Sequence, residues 1–147
     1  MSRLLSILTI LVFVSSCNNG KNIKNHFSEI QELNKILKNH SNELRWRNKP
    51  DSIAIAIPET KEIINLLTKK TKLIEIEYNN IEDSVQYLGL AYKFGNQKTD
   101  TYNYYMIYSD RKEKLSYYIL YEQFSDCAKM TKINENWAFS QIQNNCN

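Results

Sequence analysis

Three cysteines, Cys17, Cys127 and Cys146, are the side chains here most able to do covalent chemistry; the histidines are two, His26 and His40. A thiol can be acylated, oxidised to a disulfide, or act as a nucleophile when a base stands beside it. No local signature of a catalytic cysteine surrounds any of the three. His26 and His40 stand at the two ends of one helical pattern and form no recognisable metal-ligand set, so no metal is expected. The patterns G-x-S-x-G, H-E-x-x-H, G-x-G-x-x-G and the P-loop are all missing. Glu75 and Glu77 alternate along one strand pattern, and Glu82-Asp83 falls in a turn. A two-carboxylate hydrolase assembled from distant positions remains open, but no catalytic residue and no cofactor is assigned.

Aromatic chemistry is more prominent. Of ten tyrosines, seven fall between 102 and 121. With loops at 95–100 and 109–114, Tyr102, Tyr104, Met106 and Tyr108 share a face with Leu115, Tyr117, Ile119 and Tyr121, and with Tyr87, Gly89 and Ala91. Leu88, Leu90, Phe94, Tyr105, Ile107, Tyr118 and Leu120 fall on the other, more aliphatic face, to which helices are assigned. That leaves Tyr102, Tyr104, Tyr108, Tyr117 and Tyr121 as an open protein-binding surface, since tyrosines offer area, few rotamers and a polar tip. Plain sheet stabilisation by cross-strand aromatic pairs and a sugar-stacking surface are the alternatives. A one-residue slip in either hairpin exchanges the faces. Trp46, between Arg45 and Arg47, reads either as an anion or cation–π site or as a half-buried strand with arginines in solvent. Trp137 and Phe139 belong to the packed face of the last hairpin.

These side chains need elements to position them. Phe27, Ile30, Leu33, Ile36 and Leu37 recur at three and four residues, which predicts an amphipathic helix ending at Asn39. LRWRN (44–48) and SIAIAI (52–57) alternate and predict two short strands about a Lys49-Pro50-Asp51 turn. Pro58 opens a second helix, with Glu59 and Glu62 in its first turn, Lys69 and Lys70 in its last, and Ile63, Ile64 and Leu67 on its apolar face. From Lys72 the period falls to two, predicting strands at 72–78, 85–94, 101–109, 115–122, 128–133 and 136–143. The class is α+β: two N-terminal helices on an antiparallel meander of five or six strands.

The first residues give an address. Arg3 precedes an apolar run, Leu4 to Val14, too short to cross a bilayer as a helix but matching a secretory signal. Val14-Ser15-Ser16-Cys17 resembles the lipobox of bacterial lipoproteins. That resemblance covers 17 residues. It implies a diacylglycerol on the Cys17 thiol, cleavage just before it, and acylation of the new amino group. Several acyl chains anchor a protein where one holds weakly. In that family an aspartate after the cysteine marks inner-membrane retention; Asn18 stands there, so the outer membrane is favoured. The expected organisation is a signal peptide at 1–16, a lipidated tether at 17–25, and one α+β domain at 26–147.

Export also bears on the remaining cysteines, because the compartment outside the cytosol is oxidising. Cys127 and Cys146 are the expected disulfide, although a tight turn at Asn134-Glu135 places Ile142 opposite Cys127, so the tail must curl back. The formal charge of +3 is small and evenly spread, which argues against nucleic acid as a partner. The reading is an envelope lipoprotein, held in the bilayer by acylated Cys17, whose non-catalytic domain binds another protein. A small periplasmic hydrolase or carbohydrate-binding enzyme and a structural envelope spacer are the alternatives.

Overall fold

The computed structural model describes residues 19–79, 89–95, 100–115 and 126–144. The signal, the lipobox with Cys17, the Glu82-Asp83 turn, Tyr87, Leu88, Tyr117, Tyr121 and Cys146 lie outside that description. Residues 19–25 are helical, and helix α1 follows at Phe27–Asn39. Its three-and-four spacing places Ile30, Leu33, Asn34 and Leu37 inward, with Glu29 in the first turn and Lys38 in the last. A 3-10 turn, Ser41–Glu43, leads to β1 (Arg47–Asn48).

The expected strand at 52–57 is instead a helix, α2 (Pro50–Ala56). Pro50 stands at the start of that helix, where its missing N–H is no loss, and Asp51 lies in the first turn. The isoleucines alternate, yet only Ile53 and Ile57, four apart, are buried, while Ile55 is 81% exposed. Period two in the letters is thus period four in the burial. The 44–48 strand is shorter than expected, since only Arg47–Asn48 pair. After the 3-10 turn Pro58–Thr60 comes α3 (Lys61–Thr71), which buries Ile64, Leu67 and Thr71. Lys72 then takes a left-handed conformation, φ 57°, and turns the chain directly into the sheet.

Strands β2 (Leu73–Asn79), β3 (Gly89–Phe94), β4 (Tyr102–Ser109), β5 (Ala128–Lys132) and β6 (Trp137–Gln143) complete a six-stranded antiparallel sheet. The fold is α+β with the N-terminal helices on the sheet, and the strand count is as expected. Its order, β1-β2-β3-β4-β6-β5, departs from a pure meander at one point. The place beside β4 expected for 115–122 belongs to β6, through seven pairs from Tyr102↔Gln143 to Tyr108↔Trp137. Leu115 is helical rather than opening a strand, and 116–122 lie outside the described residues.

Register decides which side chains meet. A six-residue loop at 95–100 would set Phe94 opposite Thr101; the observed partner is Tyr104. The offset is odd, so every side chain of β3 changes face relative to β4. Leu90, Tyr92 and Phe94 therefore align with Tyr108, Met106 and Tyr104, and these with Trp137, Phe139 and Gln141. Gly89 fits this close pairing at φ 143°, since a Cβ there would lie 2.1 Å from the Tyr108 carbonyl oxygen.

Both faces of the sheet carry buried apolar residues. Ile30, Leu33, Leu37, Ile53, Ile64 and Leu67 pack on Ile76, Leu90, Tyr92, Phe94, Tyr104, Met106, Trp137 and Phe139. Ala91, Ile107, Leu115, Met130 and Ala138 form a smaller cluster with Tyr105 against it. Each large side chain fully buried this way contributes about 1.5–3 kcal/mol.

Candidate functional site

The tyrosines expected on an open surface lie on the helix-covered face. Tyr104 is 5% exposed, stacks on Phe139 at 5.9 Å, and has Gly20 over it, where an added Cβ would sit 3.3 Å from the ring. Tyr102 and Tyr108 are half-buried against the same core. The odd register offset is the physical reason, and it withdraws Tyr102, Tyr104 and Tyr108 as a bare docking face. Tyr117 and Tyr121 are outside the described residues. Cys127 is disulfide-bonded, and its partner lies outside the described residues. Ile142 pairs with Ala128 rather than Cys127, and the Gln143 N–H donates to the Cys127 carbonyl at 2.9 Å.

Two polar clusters tie elements together. Lys38, in the last turn of α1, donates to Asp110 at 2.5 Å and to the Tyr108 hydroxyl at 3.0 Å. The bond from Asp110, then that from Tyr108, raises the Lys38 ammonium above its ordinary value. Burial works to raise Asp110, but its bonds with Lys38 and Tyr108 outweigh this and hold the carboxyl low. A lysine kept charged in this way pins a helix to a strand and is poorly suited to nucleophilic work. Beside it is a shallow cavity of about 300 Å³, lined by Gln31, Tyr108, Trp137 and the turn Asn134, Glu135 and Asn136. The second cluster centres on His40, whose Nδ1 meets Glu43 at 2.9 Å and whose Nε2 meets Glu59 at 2.8 Å. Among the described residues no group of three His, Cys, Asp or Glu side chains is placed to hold a metal.

The edge of the sheet at β1 is built differently. Asn48 is buried, and its side chain closes a hook: its Oδ1 accepts the Arg45 N–H at 2.9 Å, and its amide donates to the carbonyls of Arg45 at 2.6 Å and Ile76 at 3.0 Å. The Trp46 carbonyl accepts from the Tyr78 N–H at 3.0 Å, fixing the hook to β2. Trp46 itself stands 46% exposed between Arg45 and Arg47. Between this hook and α2 lies a notch of about 440 Å³. Leu44, Ile53, Ala56 and Ile57 give it an apolar floor, Asn48 and Ser52 add polar groups, and Arg45, Arg47 and Lys49 stand around it.

The notch has a positive balance. Its one lining carboxylate, Glu43, is already bonded to His40. Arg47 reaches Glu75 only at 3.9 Å, a long contact that leaves its guanidinium donors largely free. An anionic group could lie across these cations while an apolar body rests on the floor. Arg45, Trp46 and Arg47 were legible as a candidate in the sequence. Lys49 and Ser52 were not, because α2 reads as a strand and a strand there forms no wall.

No protein-family model matches the chain, and neither a curated protein nor a solved structure matches it.

Proposed function

We propose that this chain is a lipid-anchored, non-catalytic binding domain of a cell envelope, tethered through acylated Cys17, with the outer membrane favoured. Its ligand is another protein, and its contact region is the sheet edge around Trp46. The observation that carries the reading is a half-exposed tryptophan between two arginines, on backbone clamped by the buried amide of Asn48. Rigid aromatics and arginines beside a pocket are the side chains that dominate protein–protein contacts. Each of the two cavities described above is lined by a single carboxylate, Glu135 or Glu43, so neither supports the hydrolase alternative.

A photo-crosslinking residue placed at Trp46 in the producing cells tests this. A discrete protein adduct is expected from position 46 and none from Thr68, an exposed site on α3. Equal labelling from both positions, or none from 46, overturns the reading. Mass spectrometry of the same material tests the anchor, with a diacylglycerol-modified Cys17 at the mature N-terminus expected.

A further inference from the structure

We infer that the notch beside β1 receives an extended acidic segment of the protein partner, with carboxylates at alternate positions and an apolar side chain between them. The inference rests on the binding role proposed above and specifies its ligand. Arg45, Arg47 and Lys49 all line one notch; the chain bends at Trp46 and is extended from Arg47 to Lys49. Alternate residues of an extended chain lie about 6.6–6.8 Å apart. A second extended chain carrying a carboxylate at every other residue repeats with that same spacing. Arg47 and Lys49 can then each hold a carboxylate, the arginine through its fork, and Arg45 adds a third positive charge at the notch. A single phosphate or lipid headgroup offers one anion where the notch presents three cations.

The floor selects further. Ile53 and Ile57, both buried, underlie the notch, Leu44 and Ala56 offer its accessible apolar surface, and a notch of about 440 Å³ has room for a side chain. Recognition runs through side chains rather than by adding a strand to the sheet. The backbone N–H and carbonyl of Arg45, which an incoming strand would use, are already taken by Asn48. Binding should therefore weaken steeply with salt, as contacts between exposed charges do.

The test uses the full chain in neutral detergent micelles and a fluorescein-labelled Glu-Leu-Glu-Leu-Glu peptide followed by anisotropy. Saturable binding is expected, with no binding of the Lys-Leu-Lys-Leu-Lys counterpart. Joint substitution Arg45→Ser and Arg47→Ser should weaken it at least tenfold with an unchanged denaturation midpoint. Absence of binding, equal binding of both peptides, or indifference to the substitutions overturns the inference. So does displacement of the peptide by inorganic phosphate at equal concentration. Acrylamide quenching of Trp46 supplies the lipid arm. Protection by phosphatidylglycerol in the micelles, absent with phosphatidylcholine and accompanied by no peptide binding, would assign the notch to membrane contact and overturn the inference. A crosslinked adduct at position 46 without peptide binding would leave the binding role standing and remove only the acidic ligand.

Discussion

The two tryptophans of this chain share a chemistry and occupy opposite situations. Trp137 opens β6 under the helices, 4% exposed, with Phe27 edge-on at 5.2 Å, Tyr108 at 4.9 Å and Tyr92 at 6.2 Å. Trp46 stands beside a two-residue edge strand, about half exposed, on backbone held by a side-chain amide rather than by a long ladder. The difference lies in the cover. A strand paired on both sides lies beneath helices, and its aromatics become core. An edge hook closed by Asn48 leaves its aromatic facing out.

That contrast is broken most directly by removing each ring. Trp137→Ala should destabilise the fold by about 3–5 kcal/mol, the range for deleting a large buried aromatic. Tyr104→Ser should fall near that range as well, because its ring is covered. Urea denaturation measures both. A Tyr104→Ser variant of unchanged stability would return that face to consideration as a surface. Trp46→Ala should shift stability by no more than about 0.5 kcal/mol, as substitutions at exposed sites generally do, while abolishing the crosslinked adduct's counterpart in a pull-down.

The hook itself gives the next effect. Asn48→Ala removes three hydrogen bonds and leaves the Arg45 and Ile76 backbone groups to find other partners, at about 1–3 kcal/mol. Acrylamide quenching of Trp46 should change together with stability. If stability falls while quenching and peptide binding do not move, Asn48 supports the core and not the presentation of Trp46.

A smaller effect is expected inside the covered region. The Tyr92 hydroxyl is fully buried and donates to Asn34 of α1 at 3.0 Å, and burial pushes its phenol well above the ordinary value. Tyr92→Phe keeps the ring and strands the Asn34 oxygen, which should cost about 1–2 kcal/mol. Pairing it with Asn34→Ala in a double-mutant cycle isolates the bond; additive effects would show that it contributes nothing.

Much of the fold was legible because its signals are local. The spacing from Phe27 to Leu37, Pro58 with its acidic first turn, and period two from Leu73 each name an element without long-range information. What failed depends on register and cover. The SIAIAI stretch offers two periods, and only the helix opened by Pro50 buries Ile53 with Ile57. The tyrosine face turned on the length of one connection, and an odd error there exchanges core for surface. The site was half legible. Arg45, Trp46 and Arg47 are neighbours in sequence, whereas Lys49 and Ser52 join them only once α2 folds back as a wall.

The smallest effect is a dependence on pH at the wall of the notch. His40 bonds Glu43 on one side and Glu59 on the other, linking the end of α1 to the turns on either side of α2. The bond to Glu43, then that to Glu59, raises its pKa above the ordinary value, against an opposing effect of burial. The folded chain thus holds the imidazolium proton more tightly than the unfolded chain. Its contribution to stability is fully present below the unfolded pKa, about 6.5, and is lost as pH rises through the folded value. The same titration touches binding, because Glu43 lines the notch and loses its cationic partner when His40 becomes neutral. The acidic peptide should therefore bind more weakly as pH rises. His40→Gln should flatten both profiles, read by denaturation midpoint and by anisotropy. If the binding profile keeps its slope in that variant, Glu43 does not sense His40, and the edge is electrostatically independent of the helices behind it.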